Sequence, residues 1–193
     1  MTLLQVMPAD DGANVVLRTE DITEIAAELA PYGIRMERWA TVPLTGDAGQ
    51  EQVLAAYASE VERVSAEGSY PIVDVVRLVP DDSDPEWPAK AQAARTKFLE
   101  EHTHDEDEVR FFVEGSGCFY LHLDGKVYAV VCTEGDLMSV PAGTTHWFDM
   151  GTRPYFCAIR FFQEADGWVA GFTGDPISNR MPTLDELLAP APS

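Results

Sequence analysis

Residues 101–110 read EHTHDEDEVR. Two of the chain's four histidines, His102 and His104, stand two apart inside its densest run of acids, and Glu108 follows. On an extended chain, residues i and i+2 project to one face, so both imidazoles point the same way. Glu108 lies where a turn can swing a carboxylate back toward them. Such a trio is either a solvated acidic loop with incidental imidazoles or a grip on a metal, and alone it does not decide. A second stretch, GDLMSVPAGTTH at 135–146, offers another donor. A strand ends at Pro141, a glycine turn reverses the chain, and His146 opens the next strand. If a barrel sets this hairpin opposite the first, three histidines and one glutamate converge. That donor set suits Fe(II) or Ni(II) in an octahedral site. Four protein ligands then leave two positions for a chelating substrate, whereas zinc is more often closed by four ligands.

Other charged residues are weighed beside these. Arg160 stands alone in the apolar run YFCAIRFF, where burial is costly unless the cation is paired. An interior carboxylate such as Asp149 or Glu164 is the structural partner to expect. Asp105, Glu106 and Asp107 read mainly as solvated charge, with Asp107 able to orient a ligand histidine. His122, between Leu121 and Leu123, has no partner in sequence and is read as a non-ligand.

The elements that must position these residues fall into two halves. In the first, Asp21 and Glu24 cap a helix carrying Ile22, Ile25, Ala26 and Leu29, which Pro31 and Gly33 end. Residues 34–39 alternate like a strand. A helix is expected over about 50–66, with Val53, Tyr57, Val61 and Val64 on one face. A β-branched strand follows at 72–79, then a loop at 81–88, then a helix opened by Pro88. The second half is strand and turn: 109–113, 118–123, 126–131, 136–140 and 155–162. EGSG at 114–117, Asp124-Gly125, Glu134-Gly135 and Pro141-Ala142-Gly143 are read as turns between them. Strands at this spacing argue for a sandwich or barrel of jelly-roll shape. One domain is expected: an α+β segment over about 1–97, a barrel core over about 98–165, and an irregular wrap over about 166–193.

Composition sets the surroundings. With 46% hydrophobic residues in 193, the chain has material for a real core. Thirteen Lys and Arg against 33 Asp and Glu leave a net charge of −20, which repels phosphate backbones and anionic membranes. No basic leader with an apolar core is present, and no apolar run approaches about 18 residues. A cytoplasmic monomer is expected. Cys118, Cys132 and Cys157 are odd in number and widely spaced, and read as buried reduced thiols.

His102, His104, Glu108 and Gly115 fit HxH-x3-E-x6-G, and Gly135, Pro141, Gly143 and His146 fit G-x5-P-x-G-x2-H. These resemble the two signature motifs of the cupin superfamily. Thr96 stands where the general pattern has glycine and Met150 where it has asparagine, and neither position supplies a ligand. A closer resemblance covers FLEEHTHDEDEVRFFVEGSGCFYL, GDLMSVPAGTTHWFDMG and AIRFFQEADGWVA, strongest from about 97 to 170. It is to the acireductone dioxygenases of methionine salvage. The resemblance implies a mainly β cupin barrel, the double-stranded β-helix, with flanking helices. It implies one Fe(II) or Ni(II) held by His102, His104, Glu108 and His146. The implied substrates are O2 and the acireductone 1,2-dihydroxy-3-keto-5-methylthiopentene. Iron would direct cleavage to formate and the 2-oxo acid, nickel to formate, carbon monoxide and 3-methylthiopropionate. A deprotonated acireductone needs positive charge nearby, and the resemblance assigns that to Arg110 and Arg160. Phe98, Phe148 and Trp168 become walls for the methylthio tail. Two other classes stand against this reading: another cupin dioxygenase or isomerase, and a non-enzymatic binding cupin. The first lacks the EVRFF and IRFF-x4-GW context present here, and the second usually lacks a complete ligand set.

Overall fold

The computed structural model describes residues 1–165 and 167–189. In chain order the strands and helices are β1 (Leu3–Pro8), β2 (Leu17–Thr19), α1 (Ile22–Leu29), β3 (Arg35–Arg38), α2 (Gln50–Ala56), α3 (Ala58–Gly68), β4 (Ile72–Leu78), α4 (Trp87–Phe98), β5 (His102–Thr103), β6 (Glu108–Leu123), β7 (Lys126–Thr133), β8 (Asp136–Val140), β9 (His146–Asp149), β10 (Phe156–Phe162), β11 (Gly171–Phe172) and α5 (Leu184–Leu188). One sheet runs β11-β5-β9-β6-β7-β1-β2. The other runs β4-β10-β6-β8-β3, and β6 belongs to both. The architecture is mainly β with flanking helices, as expected of a cupin barrel.

The long strand β6 corrects the reading of EGSG as a turn. Residues 114–117 lie inside one strand that passes from the second sheet to the first. Val113 is an extra residue there: Cys157 faces Glu114 while Ala158 faces Phe112. A bulge of this kind bends a strand and shifts the side-chain alternation by one. Before it, Phe112 points into the barrel and Val109, Phe111 and Val113 point out. After it, Phe119 and Leu121 point in, while Cys118 and Tyr120 point out. Gly115 sits at φ 73°, and a Cβ there would run into the Tyr155 carbonyl. Glycine at this point therefore answers to a bend and a close approach, not to a chain reversal. The Asp124-Gly125 turn does behave as read, with both residues at positive φ as a tight hairpin requires.

Three apolar layers follow from the alternation. The barrel interior holds Leu4, Phe112, Phe119, Val130, Met138 and Phe148. Outside the second sheet, Val53, Tyr57 and Val64 cover Phe111, Ile159 and Phe161. Outside the first, Ile177, Met181, Leu184 and Leu187 cover Leu3, Tyr120 and Trp147. The helix expected over 50–66 is two helices. They break at Tyr57 (φ −116°, ψ 25°), whose buried ring packs edge-on against Phe111 and whose hydroxyl accepts from Val42 N–H. The C-terminal wrap is not wholly irregular, since Thr183 caps the short helix α5; Asp166 and residues 190–193 of that segment lie outside the described residues. The three cysteines are free and buried, as read.

Candidate metal centre and substrate cleft

His102 and His146 face each other across β5 and β9. Glu108 opens β6, and His104 lies on the turn between β5 and β6. The turn before His146 is fastened to the first motif: Gly143 N–H donates to the His104 carbonyl at 2.8 Å and Ala142 N–H to Asp107 Oδ1 at 2.9 Å. One donor atom from each of His102, His104, Glu108 and His146 lies within 4.8 Å of all the others, and all four residues are buried.

Hydrogen bonds determine which imidazole nitrogen faces inward. Nδ1 of His102 donates to the Glu100 carbonyl (2.6 Å), of His104 to Val169 (3.1 Å), and of His146 to Thr144 (2.8 Å). A carbonyl only accepts, so each Nδ1 carries the proton and each Nε2 lone pair is free to ligate. Nε2 of both His104 and His146 lies 3.1 Å from Glu108 Oε2. Two acceptors at that distance call for a cation between them, either a proton or a metal. Their fit to a divalent metal therefore rests on tautomer as well as position. The acid–base behaviour agrees. Burial opposes charge on Glu108, but Arg110, His104 and His146 outweigh it and hold the carboxyl well below its usual range. Burial likewise opposes charge on His104, yet the Glu108 contact raises it, while burial lowers His102.

A cleft of about 520 Å³ opens from the cluster, lined by His102, His104, Glu108, Arg110, Phe148, Arg160 and Trp168 among others, including Phe98. Arg110 Nη2 lies 2.8 Å from Glu108 Oε1, an ion pair outside hydrogen-bond alignment, and its buried Nε has no acceptor among the described residues. The guanidinium carbon sits 4.4 Å from the Phe148 ring centre, 4.9 Å from Trp168, 5.5 Å from Phe119 and 5.9 Å from Phe98. The aromatic walls thus also cage this arginine.

Several expectations change here. Arg160 does not pair with Asp149 or Glu164. Asp74 stands opposite it on β4 and takes a two-bond fork, Nε to Oδ1 at 2.8 Å and Nη2 to Oδ2 at 2.6 Å. Asp149 instead binds Arg95 of α4. Asp107 orients no ligand histidine; it accepts from Tyr70 O–H and Ala142 N–H, docking the turn that delivers His146. Glu106 is buried rather than solvated, accepting from Gln163 and Glu164 N–H. His122 lies outside the donor cluster and donates to Glu101 at 2.7 Å. Lys97, Asp74, Phe162 and Phe172 line the cleft without having been singled out. Asp74 had a signal: the one acid in the β-branched run IVDVVRLV, matching the lone charge in YFCAIRFF.

The sequence model of the ARD/ARD' family matches residues 9–170. Acireductone dioxygenase 1 of Nocardia farcinica is 65% identical over 188 residues, covering 97% of this chain and 100% of that one. Acireductone dioxygenase of Synechococcus sp. is 57% identical over 186 residues, covering 95% of this chain and 99% of that one. Among solved structures, an acireductone dioxygenase from Bacillus anthracis with a cadmium ion in its active center superposes with a TM-score of 0.74. It is 30% identical and covers 89% of this chain and 98% of that one. With these matches added to the cluster and its cleft, the chain belongs to the ARD/ARD' family.

Proposed function

We propose that this protein is an acireductone dioxygenase of methionine salvage. It cleaves 1,2-dihydroxy-3-keto-5-methylthiopentene with O2, giving formate and 4-methylthio-2-oxobutanoate in an iron form, or formate, carbon monoxide and 3-methylthiopropionate in a nickel form. The observation that carries this reading is one cleft, in a chain of the ARD/ARD' family, holding a three-histidine, one-carboxylate donor set beside two arginines. Fe(II) or Ni(II), one per chain and held by His102, His104, Glu108 and His146, supplies a Lewis acid and a template for the substrate oxygens.

The chain's own residues do the rest. The carbonyls of Glu100, Val169 and Thr144 keep the three Nε2 atoms directed inward. Arg110 and Arg160 offset the charge of the deprotonated enediol, in a setting where burial strengthens such contacts. Arg110 has a buried N–H still to give. Phe98, Phe148 and Trp168 give the methylthio tail an apolar wall and exclude water. A single-domain monomer is the proposed working unit. Three free buried thiols fit a cytoplasmic setting. Among the described residues no helix is long and apolar enough to cross a membrane, and the net charge of −20 disfavours nucleic acid.

The test is metal exchange. Apoprotein reloaded anaerobically with Fe(II) and then given acireductone and O2 should form formate and the 2-oxo acid. The same apoprotein reloaded with Ni(II) should release carbon monoxide into the headspace. Identical products from both would refute control by the metal, and no oxygen uptake with either would reject acireductone as substrate.

A further inference from the structure

Two arginines stand directly opposite each other across β10 and β6, Arg160 against Arg110. Like charges in that register repel. A carboxylate closes each side of the pair. Glu108 meets Arg110 at 2.8 Å, and Asp74 forks onto Arg160 from the next strand. The charges therefore run as a row, minus, plus, plus, minus, with an anion seat between the two cations. Asp74 is two strands from Arg110, about 10 Å at ordinary strand spacing. It lies outside the metal-ligand cluster.

We propose that Asp74 is a positioning residue for substrate. The inference rests on reading this cleft as the acireductone site, and assigns Asp74 a task within it. The fork takes Nε and Nη2 of Arg160, so both torsion and tilt of the guanidinium plane are held. The plane is braced from another side by Phe162 and Trp168, whose ring centres lie 5.1 and 5.7 Å from the guanidinium carbon. Asp74 and Arg160 both line the cleft, with side chains 35% and 26% exposed. A pair this open adds little to folding. Its geometric effect is larger, because an unheld arginine samples many rotamers and must be ordered again by each incoming anion.

Three roles for Asp74 predict different signs. If it only dilutes positive charge, its removal tightens anion binding. If it only braces the fold, its removal lowers the melting temperature and leaves anion affinity unchanged. If it positions Arg160, its removal weakens anion binding in a still-folded protein, and the loss disappears when Arg160 is already gone.

The experiment uses Ni(II)-loaded wild type, Asp74→Ala, Arg160→Met and the double variant. Oxalate, a planar dianion with two adjacent carboxylates, is titrated by calorimetry, and acireductone is followed by KM and kcat. Asp74→Ala is expected to weaken oxalate binding and raise KM by about tenfold, within the range coupled neighbours show. Its kcat should change less than KM, and its melting temperature should stay near wild type. The double variant should match Arg160→Met. If Asp74→Ala does not fold, Asp74→Asn replaces it with a smaller loss of the same sign. Unchanged or tighter oxalate binding in a folded Asp74 variant overturns the proposal, as do additive losses in the double variant. Absence of oxalate binding to wild type overturns the anion seat itself. Wild type that shows the expected oxalate cycle but consumes no acireductone leaves the positioning role standing and rejects the substrate.

Discussion

At the scale of residues, the four donors differ in what holds them. His102 and His146 are paired on neighbouring strands, while His104 sits on a turn and depends on the Val169 carbonyl for its tautomer. All three contribute an inward Nε2, so replacing any one removes a ligand. His102→Ala, His104→Ala and His146→Ala should each lose most bound metal and nearly all activity. His122→Ala should keep its metal, because its ring contacts Glu101 outside the cluster. Metal content of each purified protein by elemental analysis decides this. Full occupancy in His146→Ala would remove that residue from the ligand set.

At the scale of elements, β6 is the piece on which the site depends. Its first half carries Glu108 and Arg110 into the cleft, and its second half pairs with β9, which carries His146. The bulge and Gly115 between the halves allow both to face inward at their own ends. Gly115→Ala combines a positive φ with a collision against the Tyr155 carbonyl. It is expected to destabilise the protein by at least about 2 kcal/mol, adding overpacking to backbone strain, and to weaken Ni(II) binding. Gly143→Ala is the control, since φ there is 75° but a Cβ meets nothing within 4 Å. Its cost should be the conformational part alone, about 1 kcal/mol. Urea unfolding of both variants, with a Ni(II) titration of each, separates contact from conformation. Equal midpoints would show that the close approach at Gly115 is not a constraint.

At the scale of the whole molecule, Asp149 joins three elements. It is buried on β9, takes a two-bond fork from Arg95 of α4, and accepts from Leu184 N–H at the start of α5. Burial raises the Asp149 carboxyl, but these donors outweigh it, and its pKa falls below the ordinary 3.8. A depressed carboxylate adds stability that is complete above the unfolded value and is lost as pH falls through the folded one. Asp149→Asn, which leaves Arg95 facing an uncharged partner, should cost about 3–5 kcal/mol at pH 7. The gap between wild type and variant should narrow only below about pH 4. Denaturant midpoints of both proteins across that range test the sign, and a gap that widens on acidification would contradict it.

Much of this protein is written in local spacing. HTHDEDE and the PAGTTH turn identify the four donors because two short extended segments with a glycine reversal need few neighbours to define them. Strands β4, β7, β8 and β10 were likewise legible from β-branched and aromatic runs. What local pattern cannot supply is pairing. Arg160 looked for Asp149 or Glu164, both near it in sequence, whereas its partner Asp74 comes from β4, 86 residues away, placed by the register of two strands. EGSG looked like a turn because glycine permits reversal and close approach alike, and only the neighbouring Tyr155 carbonyl distinguishes them. Asp105, Glu106 and Asp107 looked solvated because charge alone favours water; folding leaves Asp105 exposed but brings donors to Glu106 and Asp107 and buries Glu106. Residue types and their short-range spacing decided the chemistry. Long-range strand register decided which charges meet, because hydrogen-bonded pairing across a sheet is set by the whole chain's closure and not by any window within it.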